Sequence, residues 1–331
     1  MVTIKDIARE CGVSAATVSR ALNGIDTISS ARALSIRETA REMGYAPNAV
    51  ARALKTNRSW MIGVAFEEHM NHSYFSGLIE AIREKAESEG YDLVFLSRTK
   101  EGAGLDYPDR AVSRKMDGVI IIHADFAEEG IQKLLSGSIP VVCIDDDTLA
   151  CHALMSDYRL GTAQLVQAAY DKGHRHIALI HGQIGNSTNA RIRGFREQMD
   201  KLGLHFGESD ISEAAFRDGK AVAAQILRLL ETPDKPTCFL LPDDASAIDA
   251  LQILARKGLH APRDFSCMGY DGIPLAEKVY PTLATYRQNV QRMAQEIVDI
   301  IQRSVGEGEK HAREVQWIEG EVLLGETLGN V

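Results

Sequence analysis

The sequence predicts a small all-α helix-turn-helix head followed by an α/β body built on parallel sheets. Three observations predict it. Two short helical stretches meet at a glycine within the first 22 residues, and short apolar runs alternate with helical periodicities through the rest of the 331-residue chain. The charge is also split. Residues 1–58 hold nine basic and five acidic side chains, a formal +4, so a chain of net charge −9 leaves −13 for the remainder. A basic module on an acidic body is the asymmetry of a nucleic-acid-binding unit fused to another domain.

In the head, Thr3 can cap a first helix, with Asp6 at the capping-box position and Ile4, Ile7, Ala8 and Cys11 at helical spacing. Gly12 permits the turn. Ser14 can cap a second helix over 15–22, which Asn23-Gly24 ends. Small Ala8 suits the crossing, and Val13 and Val18 suit the angle between the helices. A third helix fits 30–43 and stops at Gly44. The second helix offers Ser14, Ala15, Ala16, Thr17, Ser19 and Arg20 to a major groove. Arg20 can contact guanine in bidentate fashion, Ala15 and Ala16 only a thymine methyl, and Thr17 and Ser19 a phosphate or base edge. Thr3, Asn23, Asn48, Ala51 and Lys55 complete the candidate DNA contacts. Residues 49–54 form a helix of about one and a half turns whose Val50, Ala53 and Leu54 have no partner in the head. Either it packs against a second copy, with Leu54 as a minor-groove wedge, or it is a plain linker.

In the body, strands are predicted at 61–66, 92–96, 119–122, 141–144, 177–180, 238–241 and 265–268, with helices between them. Apolar strands alternating with helices indicate parallel sheets, which bind ligands beyond the carboxyl ends of their strands. Glu67, Asp145, Asp243 and Asp271 follow such strands and are the candidate pocket acids; Asp146 and Asp244 read as caps or rim charges.

Other chemistry is not favoured. The five cysteines are scattered without a C-x-x-C, which predicts neither a disulfide framework nor a zinc site. His174-Arg175-His176 and Asp145-Asp146-Asp147 lack metal-ligand spacing. No phosphate-binding loop or nucleophile–base set stands out, so no cofactor, metal or catalytic residue is expected. The start, MVTIKDIARE, is charged where a signal peptide is apolar, and no run is long enough to span a bilayer, so a cytoplasmic protein is expected.

VTIKDIARECGVSAATVSRALNG, followed by GYAPNAVARALK, resembles the head and hinge helix of the lactose/galactose-repressor family of transcription regulators. The resemblance runs along nearly the whole chain. It implies a homodimer on palindromic operator DNA, a hinge helix that orders on specific DNA, and a two-lobed sensor similar to periplasmic sugar-binding proteins. The expected domains are 1–46 (helix-turn-helix), 47–59 (hinge) and 60–331 (effector binding and dimerisation). The N-lobe is expected at about 60–157 and 288–316, and the C-lobe at 158–287 and 317–331, with crossings near 156–158, 286–288 and 316–317. The resemblance supports Asp145, Asp243 and Asp271, and adds Arg191, Phe216, Tyr74, Phe75 and Met155 as effector contacts. The chain departs from the family pattern at Ala33, where the third helix usually has Arg, at His72-Ser73, usually Asn-Pro, and at Asp243, where Asn is common.

Four acids against one Arg suggest a neutral polyhydroxyl or amino-bearing effector. The resulting expectation is a repressor released by a sugar-like small molecule. The alternatives are a co-repressor mode, a sugar-modifying α/β enzyme with a DNA-binding head, or an architectural DNA protein. The C-terminal VLLGETLGNV has no heptads to support a tetramer.

Overall fold

The structure, a computed structural model, describes the chain apart from residues 1, 23–29, 47–52, 54–55, 57, 67–71, 97–105, 125, 127, 147 and 308–312. The candidate residues Asn23, Asn48, Ala51, Leu54, Lys55 and Glu67 lie outside the described residues. Two compact units are present, Met1–Ser59 and Trp60–Val331.

The first unit holds α1 (Ile4–Glu10), α2 (Ala15–Leu22) and α3 (Ser30–Glu42). α1 starts where Asp6 Oδ2 accepts hydrogen bonds from the Thr3 amide (3.0 Å) and hydroxyl (2.7 Å). Gly12 takes φ +62°, the left-handed turn that lets the chain reverse. Ser14 Oγ then accepts from the Thr17 amide at 3.1 Å and opens α2. Ile7, Ala8, Val18, Ala21, Ile36 and Ala40 close the core, and Arg37 Nε donates to the Ala21 carbonyl at 2.9 Å, tying α3 to the end of α2.

The second unit contains two six-stranded sheets. The first has the order β11-β5-β4-β3-β1-β2, with β1 Met61–Phe66, β2 Asp92–Phe95, β3 Gly118–Ile122, β4 Val141–Ile144, β5 His152–Ser156 and β11 Val315–Ile318. The second has the order β12-β10-β9-β8-β6-β7, with β6 Ile177–His181, β7 Ile211–Glu213, β8 Cys238–Leu240, β9 Ser266–Asp271, β10 Ala284–Arg287 and β12 Glu321–Leu323. Among the described residues every strand pairing is parallel except β10–β12.

Burial on both faces explains the apolar strands. In β3, Ile120 and Ile122 pack toward α4 (Ser73–Ser88) and α11 (Val290–Glu307), while Val119 and Ile121 join Tyr107, Ala111, Ile131 and Leu134 of α5 (Tyr107–Ser113) and α6 (Glu129–Ser136). The second sheet is covered likewise by α7 (Tyr158–Asp171) and α8 (Asn186–Lys201) on one face, and by α9 (Gly219–Leu230) and α10 (Asp244–Ala255) on the other. In each sheet the strand order reverses next to β1 or β6, the switch point at which such sheets take ligands.

The third lobe crossing, expected at 316–317, lies further on. β11 keeps parallel register with β5 from Val315↔Ala153 through Ile318↔Ser156, so the first lobe extends through Ile318. The crossing falls just after it, where Gly320 passes so close that a Cβ there would lie 2.1 Å from the Arg287 carbonyl oxygen. Strands β5, β7, β10, β11 and β12 and helix α11 were not among the sequence expectations.

Candidate functional site

The exposed face of α2 carries Ala15, Ala16 and Arg20, with Ser14 exposed at its start and Thr17 and Ser19 half-buried. Ser14 and Thr17 are partly committed to each other: their hydroxyls lie 2.8 Å apart, and Ser14 caps the helix. The Thr3 hydroxyl is likewise engaged by Asp6. Arg20 is thus the exposed cation on a face of otherwise small side chains.

In the second unit, both lobes line a cavity of about 570 Å³. Of the candidate effector residues, it brings together Tyr74, Phe75, Asp145, Arg191, Phe216, Asp243 and Asp271. Met155 is not among the lining residues. It sits in mid-β5, paired with Trp317, and is 2% exposed. The structure also supplies lining residues outside the candidate set: His72, His123, Phe126, Asp146, Tyr158, Gln183, Asn186, Arg217 and Gln288.

Backbone conformation marks the same place. Six described non-glycine residues have positive φ, and four of them line the cavity: His123 (47°), Asp145 (61°), Arg217 (61°) and Asp271 (117°). Such conformations cost of order 1–3 kcal/mol each and gather where the surroundings hold a side chain for function. His123 and Asp145 directly follow β3 and β4, and Asp271 ends β9, so each strained residue turns a side chain into the cleft at a strand end.

The two cap assignments need correction. Asp243, read as a ligand carboxylate, caps α10: it accepts from Ser246 N (2.7 Å), Ser246 Oγ (2.9 Å) and Arg217 N (2.9 Å). Asp244, read as a cap or rim charge, is fully buried. It accepts from Thr285 Oγ1 (2.6 Å) and Ile273 N (2.9 Å). Asp146 accepts from the Thr148 amide and hydroxyl. Asp145 and Asp271 are therefore the lining acids less engaged by helix caps and turns. Ser156 N reaches Asp145 at 3.4 Å, and Gln288 Nε2 donates to Asp271 at 2.8 Å.

Arg191 reaches the cavity from α8. Its guanidinium carbon lies 3.5 Å from the centre of the Tyr270 ring and Nη1 donates to the Pro242 carbonyl at 2.5 Å. Among the described residues, Arg191 Nε and Gln288 Oε1 have no hydrogen-bond partner. Burial raises the Asp145 carboxyl, opposed by Tyr158, the Ser156 amide and Arg191. Burial and then the charge of Asp244 push Asp271 well above the usual carboxylate range, and burial raises Asp244 itself to about 7. Burial also keeps the Tyr74, Tyr158 and Tyr270 phenols neutral. The expectation of a single cation does not hold, since Arg217 also lines the cavity, as do His72 and His123. The left-handed backbone that brings Arg217 and His123 there has no sequence signature.

Comparisons with known proteins bear on both units. Residues 3–48 match the family of bacterial regulatory proteins, lacI family, and residues 166–328 match the periplasmic binding protein-like domain. The HTH-type transcriptional repressor PurR of Haemophilus influenzae is 30% identical over 312 residues, covering 91% of this chain and 90% of that protein. The chain belongs to the lacI family. It is a DNA-binding transcription regulator with a helix-turn-helix head and a two-lobed α/β body. Two solved structures share the fold of this lacI-family chain. The lac repressor dimer bound to operator and the anti-inducer ONPF superposes with TM-score 0.73 at 24% identity, covering 99% of each chain. The regulator CelR in complex with cellobiose gives 0.68 at 22% identity, covering 99% of this chain and all of that one. Among the described residues no helix is long and apolar enough to cross a membrane, and no cluster of side chains suits a metal ion.

Proposed function

We propose that this regulator represses transcription as a homodimer on a palindromic operator and is released when a neutral or amino-bearing sugar-like molecule binds in the cavity. The observation that carries the reading is the strained pair Asp145 and Asp271, one from each lobe, facing a common cavity with Arg191. Two desolvated carboxyls accept hydrogen bonds from adjacent hydroxyls or an amino group, Arg191 donates to ring or hydroxyl oxygens, and Phe75, Phe216 and Tyr158 offer faces to C–H groups. Because the acids come from different lobes, a ligand touching both favours one lobe closure over the other, which supplies the differential affinity a switch requires. The likeness to the cellobiose-bound regulator supports a sugar-like ligand. Relatives that are regulators favour a sensor over an enzyme.

The test is a thermal-shift screen against neutral sugars, amino sugars, nucleosides and sugar acids, since a true effector stabilises by RT ln(1 + [L]/Kd). Neutral or amino sugars should give the largest shift and should release operator DNA; a dominant sugar-acid hit would overturn this reading. With the hit in hand, Arg191→Ala should weaken binding by about 2–5 kcal/mol, because it removes the guanidinium whose charge acts on both Asp145 and Asp271. Unchanged affinity by calorimetry would remove Arg191 from the site. For the head, Arg20→Ala should weaken operator binding by about 1–3 kcal/mol in a gel-shift titration. Equal loss on random DNA would make Arg20 a phosphate contact instead.

A further inference from the structure

Cys143 lies within the fully buried strand β4, and Cys151 stands one residue before β5. The strands are parallel neighbours in the register Val142↔His152 and Cys143↔Ala153, so Cys143 and Cys151 are two positions apart along the ladder and share a face of the sheet. Both belong to the same apolar cluster, and their sulfurs lie 2.9 Å apart. Cys143 is fully buried, while Cys151 keeps 8% exposure. The chain between them carries Asp145 and Asp146, both on the effector cavity, and Asp145 N donates to the Leu154 carbonyl at 2.9 Å.

The remaining cysteines are placed differently. Cys238 and Cys267 are fully buried in β8 and β9, and burial raises both thiols, Cys267 to about 12. Cys11 stands alone in the head. At Cys151 the hydrogen bond shared with Cys143, and the charge of Arg313, favour the thiolate. The thiolate is the form that reacts with peroxides.

We propose that Cys143 and Cys151 are a redox-active dithiol, oxidised by a hydroperoxide to an intramolecular disulfide that fixes the Asp145 segment of the cavity. The Cys151 thiolate attacks the terminal peroxide oxygen. The S–O bond forms as the O–O bond breaks, and the departing oxide takes a proton and leaves as water or an alcohol. Cys143 then gives up its proton and attacks the Cys151 sulfur. The S–S bond forms, the S–O bond breaks, and hydroxide leaves with that proton as water. Overall two thiols and one hydroperoxide give one disulfide, one water and one further water or alcohol. The sulfurs are already in contact, 2.9 Å apart, so the attack starts from adjacent atoms. The product closes a ring through Asp145, restraining a residue held at φ 61°. Cytosolic disulfides are typically transient and sensing, which suits a regulator. The chemistry stands apart from the effector proposal; only its influence on effector response rests on that reading.

The test treats the reduced full chain with hydrogen peroxide, quenches with a thiol alkylator and maps peptides by mass. The expected product has lost two hydrogens, carries a Cys143–Cys151 link and leaves Cys11, Cys238 and Cys267 alkylated. In Cys143→Ser, Cys151 should stop at a sulfenic acid that dimedone traps. In Cys151→Ser, Cys143 should remain a thiol. Oxidation elsewhere first, or no link in the wild-type chain, overturns the site, and the wild-type map decides this even if a variant folds poorly. Hydrogen exchange across residues 144–156 should slow several-fold on oxidation and recover with dithiothreitol. A link formed with unchanged exchange overturns the coupling to the cavity.

Discussion

Gly194→Ala is expected to destabilise the effector domain by about 2–3 kcal/mol, the cost of inserting a methyl into a close-packed contact. Gly194 lies on α8 where it crosses the first turn of α7. A Cβ there would sit 2.1 Å from the Arg159 carbonyl oxygen and 3.0 Å from its Cα. The obstacle is backbone, so no side-chain rotation relieves it. α7 and α8 must separate, loosening Leu165, Val166, Phe195 and Met199 in their shared core. Alanine's better helix propensity returns at most about 1 kcal/mol. Arg191 sits one turn before Gly194, so effector affinity should fall together with stability. Gly77→Ala, at an exposed position of α4 with nothing within 4 Å of its Cβ, provides the contrast and should stabilise by up to about 1 kcal/mol. Urea melts of the two variants decide the point; equal midpoints would contradict the crossing geometry.

The sequence was legible where burial alone chose the residues. β1, β3 and β4 are apolar on both faces because helices cover both faces, and the turn around Gly12 needed only local chemistry. It was less legible where a partner distant in the chain does the choosing. β10 reads Ala-Thr-Tyr-Arg, with no apolar run. Its Thr285 is buried because Asp244, 41 residues earlier, accepts its hydroxyl. β11 is an edge strand with Val315, Gln316 and Trp317 exposed or half-exposed, so it carries no strong pattern and its lobe was placed two residues short.

The site divides along the same line. Strand-end position pointed to Asp145 and Asp271. It could not decide which member of Asp243-Asp244 caps α10, since both are good capping residues and the choice follows from Ile273 and Thr285 inside the lobe. Met155 shows the limit of carrying a wall residue over by resemblance: in β5 it pairs with Trp317 and is buried away from the cavity lining. His123 and Arg217 reach the cavity through left-handed backbone, a property of the folded loops rather than of either residue type.

Asp244 carries the second large effect, a stability that falls as pH rises. Burial raises its carboxyl to about 7, with the charge of Asp243 adding to the shift, while Thr285 and the Gly272 and Ile273 amides oppose it. In the unfolded chain the same group titrates near an ordinary aspartate value of about 3.9. Between these values the folded state holds more protons than the unfolded state, so stability is fully present below about pH 4 and is lost progressively toward about pH 7. The integral over that window is up to about 4 kcal/mol. Asp271, also raised by burial, adds in the same direction, and nearby Arg191 offsets part of it. Asp244→Asn isolates the contribution. Its amide oxygen can accept from Ile273 N, and the Thr285 hydroxyl, which donates to Asp244 Oδ1 in the structure, can rotate to accept from the new NH₂. The variant should therefore match wild type near pH 4 and gain on it steadily toward pH 8 in urea melts; parallel profiles would mean Asp244 is ionised throughout. Asp244→Ala should instead lose about 1–3 kcal/mol at low pH, because Ile273 N is left buried without an acceptor. Asp244 also holds the backbone just after Asp271 through the Ile273 amide, so its proton governs both the charge next to Asp271 and the anchoring of the strained turn that presents it. Effector affinity should shift over the same pH window in wild type and much less in Asp244→Asn.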